Sequence, residues 1–193
     1  MHVTPLSPPG LLRLVPPRFG DGRGWFCTVY AAETLAGLGI GEAFVQDSVS
    51  FSERAGTVRG LHFQRPPHGQ GKLVRVVRGR IRDVSVDLRV GSPAYGEHAA
   101  VELAAEGGEQ VWVPPGFAHG FVTLEDATEV HYKSTAAWAP ASEGGLAFDC
   151  PALGIDWGVT RAEAVLSERD RELPGFAGFE SPFRPGAEAA RDR

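Results

Sequence analysis

Between Ala43 and Ser134 the chain is a succession of short runs rich in Val, Phe and Leu, at 43–50, 57–64, 72–78, 80–88, 97–103, 110–113, 117–123 and 128–134. Turns such as Pro66-Pro-His-Gly69, Gly91-Ser-Pro93 and Pro114-Pro-Gly116 separate them. Runs of this length bounded by Pro and Gly read as strands, and eight or so at this spacing specify a sandwich or a small barrel. Alternation is clearest in Asp83-Val-Ser-Val-Asp-Leu-Arg89, where Val84, Val86 and Leu88 point one way and Asp83, Ser85 and Asp87 the other. The flanks are less regular. An opening strand is expected near Leu11–Val15, turns over Phe19–Trp25, an amphipathic helix over Val29–Leu38 ending at Gly39 or Gly41, and a short helix or turn at Arg161–Arg171.

The 193 residues are enough for one sizeable core, so a single domain is expected over 1–193, with its core at about 17–183 and a polar tail at 184–193 that frays. A formal charge of -5 supplies no global basic footprint for nucleic acid. Prolines interrupt the N-terminal segment where a signal peptide needs a continuous apolar helix, and no run reaches the roughly 18 apolar residues of a membrane span. A cytoplasmic protein without membrane or nucleic-acid partners is expected. Cys27 and Cys150 stand far apart, outside any CxxC or Cys/His cluster, so neither a disulfide framework nor a zinc site is expected.

Three constellations carry chemistry. Arg59-Gly-Leu-His62-Phe-Gln64 followed by Lys72-Leu-Val-Arg75 puts an imidazole and several fixed cations on neighbouring strands, which suits a phosphate-bearing substrate. Strict alternation sends Arg59 and His62 to opposite faces, so a shared site requires a bulge, with Gly60 its natural position. The residues alone leave a second reading, a satisfied strand histidine among surface cations. In Glu129-Val-His-Tyr132-Lys-Ser-Thr135, the Tyr132 phenol, with a pKa ordinarily near 10, is either a proton donor or a core aromatic. The third, Gly108-x5-Pro114-x-Gly116-x2-His119-x-Phe121, has a spacing that resembles the second motif of the cupin superfamily. Metal-binding cupins add an HxH pair from their first motif. Here that place reads His62-Phe-Gln64, a poor ligand set, so no metal is expected.

Together these stretches resemble the dTDP-4-dehydrorhamnose 3,5-epimerase family. The resemblance runs from about Pro17 to Phe183 and includes Asp21-x-Arg23-Gly-x-Phe26, Val45-Gln-Asp-Ser-Val-Ser-Phe51, Arg59-Gly-Leu-His-Phe-Gln64, Lys72-Leu-Val-Arg75, Gly116-Phe-Ala-His-Gly-Phe121, Tyr132-Lys, Ala139-Pro-x-x-Glu143, Leu153-Gly-Ile-Asp-Trp157 and Leu166-Ser-x-x-Asp170. It implies a mainly β, cupin-type double-stranded β-helix, or jelly-roll barrel, with a few short helices. It also implies an isomerase without cofactor that inverts carbons 3 and 5 of dTDP-4-dehydro-6-deoxy-D-glucose through an enolate. The alternatives are a monofunctional 3- or 5-epimerase on a related nucleotide-linked 4-ketosugar and a sugar-binding cupin without turnover.

By that resemblance His62 is the general base, oriented by Asp170, and Tyr132 the acid on the opposite ring face. Lys72 stabilises the enolate oxygen, and His119 lies against the sugar with Asp83 behind it. The nucleotide end would meet Gln46, Ser48, Arg59, Glu143 and Arg169, with Phe26, Thr28 and Trp138 at the base and Arg23 reaching in from the second subunit of a homodimer. Thr28, Ser48 and Trp138 stand where the family usually has glutamate, asparagine and tyrosine. Tryptophan keeps a flat face for stacking on the base but lacks the phenol.

Overall fold

The computed structural model describes residues 1–185; of the tail expected to fray, all but Arg184 and Pro185 lies outside the described residues. In chain order its strands are β1 (His2–Pro5), β2 (Leu12–Val15), β3 (Phe19–Asp21), β4 (Gly24–Phe26), β5 (Gln46–Ser52), β6 (Val58–Gln64), β7 (Lys72–Arg78), β8 (Arg80–Asp87), β9 (His98–Ala104), β10 (Gln110–Val113), β11 (Phe117–Thr123), β12 (Thr128–Ser134) and β13 (Glu143–Gly145). Two antiparallel sheets, ordered β1-β2-β10-β7-β12-β5 and β13-β6-β11-β8-β9, face each other as the jelly-roll barrel of a cupin, and β3-β4 forms a separate hairpin.

Each of the eight central runs forms a strand, with ends within three residues of the expected ones. The flanks differ more. The expected helix over Val29–Leu38 shrinks to α1 (Ala32–Ala36), whose N-cap Ala31 has no side-chain cap and which runs into Gly37 and Gly39. Five residues cannot sustain a helix by propensity, so α1 is held by tertiary packing through Leu35, which plugs a cluster of Leu14, Ile40, Leu73 and Trp112 on the outer face of the first sheet. Phe19–Trp25, expected as turns, closes into the β3-β4 hairpin instead. The Arg161–Arg171 stretch is a turn followed by the four-residue α2 (Glu168–Arg171).

Both faces of the second sheet are buried, and the two clusters show how. Val74, Val76, Val111 and Val130 of the first sheet meet Ile81, Leu103, Phe117 and Phe121 of the second inside the barrel. Val84, Val86 and Leu88 turn outward, yet all are fully buried, because the chain from Leu146 to Phe183 lies over them with Phe148, Trp157, Leu166 and Phe183. The polar face of β8 therefore points into the barrel. Asp87 is buried there and held by both ends of the Arg89 guanidinium and by the Ser92 hydroxyl. Burial pushes its carboxyl up, but those donors and the Arg89 charge outweigh it and keep the pKa below the ordinary value.

Strand β6 carries the bulge that the site requires. His119 of β11 pairs with His62, but Phe121 pairs with Arg59, so three steps on β6 match two on β11. Gly60 has φ 128°, and a Cβ there would sit 2.5 Å from the Gly120 Cα. Only glycine permits that approach. The extra residue turns Arg59 and His62 to the same side.

Candidate active site

A cavity of about 430 Å³ opens between the sheets, and His62, Lys72, His119, Tyr132, Arg59, Arg169 and Asp170 all line it. His62 and His119 come from adjacent strands of one sheet, while Lys72 and Tyr132 come from β7 and β12 of the other. Lys72 pairs in register with Ser134, and Tyr132 with Val74, so both side chains occupy the inward face. The base and acid candidates thus approach the cavity from opposite walls.

His62 Nε2 lies 2.5 Å from Asp170 Oδ1, a partner 108 residues away in sequence. Two local devices bring them together. Val165 adds to the start of β6 by a parallel bridge to Thr57, and the Ser167 hydroxyl then caps α2 by accepting from the Asp170 N–H at 3.1 Å. The capped turn aims the buried carboxylate at the ring. Burial raises the Asp170 pKa, but the hydrogen bond and charge of His62, with lesser help from Ser167 and Arg169, more than offset this and hold the carboxyl below its ordinary range. An ionised Asp170 accepts from Nε2–H, which leaves Nδ1 as the ring nitrogen with a free electron pair.

A second pair repeats this arrangement deeper in the wall: His119 Nε2 and Asp83 Oδ2 are 2.7 Å apart, with both residues buried. Lys72 is half-buried on the facing wall. Loss of hydration lowers its pKa from 10.5 to about 8, against the upward pull of Asp83 and Glu143. It is therefore mainly charged at neutral pH. A desolvated ammonium of this kind is a strong partner for a developing oxyanion.

The expected nucleotide-end residues fall into three groups. Arg59 and Arg169 line the cavity, Arg59 bonded to the Phe51 carbonyl and Arg169 to Glu143 at 2.6 Å. Gln46 and Ser48 lie on β5 beside Tyr132, with Ser48 its direct cross-strand partner. Trp138 follows β12 and is 60% exposed, and its backbone N–H donates to Gln46 Oε1. Arg23, Phe26 and Thr28 do not line this cavity: Arg23 pairs with Asp21 at the tip of the β3-β4 hairpin, and Phe26 and Thr28 are exposed.

Val58 and Val165 also line the cavity, and they carried no sequence signal because apolar residues look alike. Ser167 is different, since a serine three residues before an aspartate is a legible cap. Gln64, at the place of a metal ligand in other cupins, turns instead to the backbone of two loops. No group of three or more His, Cys, Asp or Glu side chains among the described residues is arranged to hold a metal ion. Cys27 and Cys150 are unpaired, and no helix is long and apolar enough to cross a membrane among those residues.

A family profile described as dTDP-4-dehydrorhamnose 3,5-epimerase matches residues 5–178. The chain is 44% identical over 184 residues to dTDP-4-dehydrorhamnose 3,5-epimerase of Sinorhizobium fredii, covering 95% of this chain and 94% of the relative. A 1.63 Å crystal structure of dTDP-4-dehydrorhamnose 3,5-epimerase from Bacillus anthracis with TDP and PPi bound superposes with a TM-score of 0.87 at 42% identity, covering 90% of this chain and 98% of that one. A structure of dTDP-6-deoxy-D-glucose-3,5-epimerase from Legionella pneumophila in complex with dTDP-4-keto-L-rhamnose superposes with a TM-score of 0.88 at 37% identity, covering 93% and 94%. With identity at this level across nearly the whole of both partners, the chain belongs to the dTDP-4-dehydrorhamnose 3,5-epimerase family of isomerases.

Proposed function

We propose that the chain inverts carbons 3 and 5 of dTDP-4-dehydro-6-deoxy-D-glucose, giving dTDP-4-dehydro-L-rhamnose, with His62 as base and Tyr132 as acid. The carrying observation is that these two residues enter one cavity from opposite sheets with Lys72 beside them. Inversion needs this, because a proton returned from the side it left restores the starting sugar. His62 Nδ1 takes the proton from the carbon beside the ketone, the C–H pair moves into the ring C=C bond, and negative charge collects on the ketone oxygen near the Lys72 ammonium. Asp170 stabilises the imidazolium that forms. The Tyr132 hydroxyl then protonates the opposite face, and both groups reset by proton exchange with water. His119, held by Asp83, packs against the sugar, while Arg59 and Arg169 meet the diphosphate and Gln46, Ser48, Glu143 and Trp138 the rest of the nucleotide.

The experiment that tests this is incubation with dTDP-4-dehydro-6-deoxyglucose in heavy water, followed by NMR at each carbon. Deuterium at carbons 3 and 5 with both centres inverted is the expected result. Exchange at one carbon marks a monofunctional epimerase, and none marks a binder without turnover. Lys72 adds a pH signature. Its charge is present below its pKa, so kcat/KM should fall as pH rises through about 8, and Lys72→Arg, whose guanidinium stays charged, should remove that limb. The same shift costs the fold stability below about pH 8, a cost relieved as pH rises toward 10.5.

We further infer that the protein is a homodimer working in the cytoplasm. Phe19, Trp25 and Phe26 on the hairpin, Val49 and Phe51 on edge strand β5 and Val45 just before it are each at least half exposed, apolar side chains that association of two chains would cover. Arg23, Phe26 and Thr28 lie outside their own chain's cavity, which fits service in a partner's. Light scattering should give twice the 20.6 kDa chain mass. Unpaired thiols suit a reducing compartment, which cell fractionation tests directly. Because Asp170 and the cover over β8 both come from the C-terminal segment, we take the chain as one domain that melts in a single transition.

A further inference from the structure

The segment Ala136–Ala139, which carries Trp138, is irregular, yet its main chain is not left to water. Gln64 Oε1 accepts from the Ala139 N–H at 2.7 Å, and its Nε2 donates to the Ala137 carbonyl at 3.1 Å and the His68 carbonyl at 2.7 Å. Gln70 Nε2 donates to the Ala136 carbonyl at 2.8 Å. Gln46 Oε1 accepts from the Trp138 N–H at 2.8 Å, while its Nε2 donates to Ser48 at 3.1 Å. Three of the chain's four glutamines thus replace the strand neighbour that this segment lacks. Gln64 is 4% exposed and stands two residues from His62 on β6. The segment itself runs between two residues tied to the cavity, from Ser134, in register with Lys72, to Glu143, paired with Arg169.

So much side-chain hydrogen bonding fixes the backbone around Trp138, a residue that stays 60% exposed. Burying Trp138 is not what the bonds achieve. We propose that Gln64, with Gln70 and Gln46, is a positioning residue that presets the Trp138 indole as the face on which the nucleoside base stacks. This rests on the reading that Trp138 meets the nucleotide end. It assigns to the glutamine at the cupin metal-ligand place a task in substrate recognition, exerted through the backbone and without contact with the substrate. A preset ring binds the base with less ordering cost than a mobile one.

The test uses dTDP as the probe, its dissociation constant measured by calorimetry, beside kcat at saturating nucleotide sugar. Gln64→Met keeps the side chain's length and removes all three bonds. It should weaken dTDP binding roughly tenfold and leave kcat within about twofold, a split that general loosening of the fold would not give. Trp138→Ala should weaken binding by itself, and adding Gln64→Met to it should then cost nothing further. Should Gln64→Met not fold, Gln70→Met, which removes one bond, carries the same test with a loss of about threefold. Unchanged dTDP affinity in the folded glutamine variant, or an equal loss with and without Trp138, overturns the proposal. Loss of affinity on Trp138→Ala but none on Gln64→Met overturns the proposal and leaves the reading of Trp138 as the base's partner standing, whereas loss on Gln64→Met but none on Trp138→Ala overturns both. Failure of the unaltered protein to bind dTDP overturns both.

Discussion

His62→Ala should abolish deuterium uptake into the ketosugar from heavy water, with a fall of roughly a thousandfold or more, the upper part of the range for a positioned general base. The size follows from what the alanine cannot replace. Asp170 is fixed behind the ring by the capped turn at Ser167, but its carboxylate points at Nε2, and in the proposed mechanism its task is to stabilise the imidazolium. The variant should fold, since the His62 side chain is about one-third exposed and anchors no apolar cluster. It should nonetheless be somewhat less stable at neutral pH. Asp170 has a depressed pKa in the folded chain, so it contributes stability above its ordinary pKa that is lost as pH falls, and His62 is the main source of the depression. Retained epimerisation in a folded His62→Ala protein would sink the mechanism.

Tyr132→Phe should separate two events that one assay of product cannot. Proton removal by His62 continues, so deuterium still enters the sugar, while formation of inverted product falls roughly a hundredfold. The proton then returns from the face it left, giving exchange with retention. Packing is preserved in this variant, because the Tyr132 ring lies against the apolar interior with Val74 and Val130, and phenylalanine keeps the ring. The ratio of exchange to inversion, read by NMR on one sample, is the informative quantity. Equal loss of both would assign Tyr132 to binding or to the enolate oxygen, and an unchanged ratio with full activity would place the acid elsewhere.

Much of this was legible in the residues because strands announce themselves locally. A period of two over four to eight residues and a Pro/Gly turn at each end are properties of neighbouring positions, so the eight central runs became strands close to where they were expected. The parity of Arg59 and His62 requires a bulge if the two are to share a site, with Gly60 its natural position, and the register shift lies there. The helix expected over Val29–Leu38 forms only over Ala32–Ala36, for the complementary reason. Its amphipathic pattern is real, but only Leu35 is fully buried, with Tyr30 and Leu38 partly buried against the same cluster, and without an N-terminal side-chain cap the rest unwinds into loop.

Resemblance, and not spacing, named Asp170 as the partner of His62, and no local rule would have found it across 108 residues. The sequence by itself determined the strands, the bulge, and which side chains could give or take a proton, since these depend on backbone sterics and intrinsic chemistry. Only the tertiary structure decided which face of β8 is inside. Alternation marks two faces but carries no information on what will cover them. Here the segment from Leu146 to Phe183 covers the apolar face from outside, which turns Asp83 and Asp87 toward the barrel interior and lets Asp83 hold His119 at the site. The same segment delivers Asp170 to His62, because a chain that buries Leu166 over the sheet must bring its next turn to the rim of the cavity.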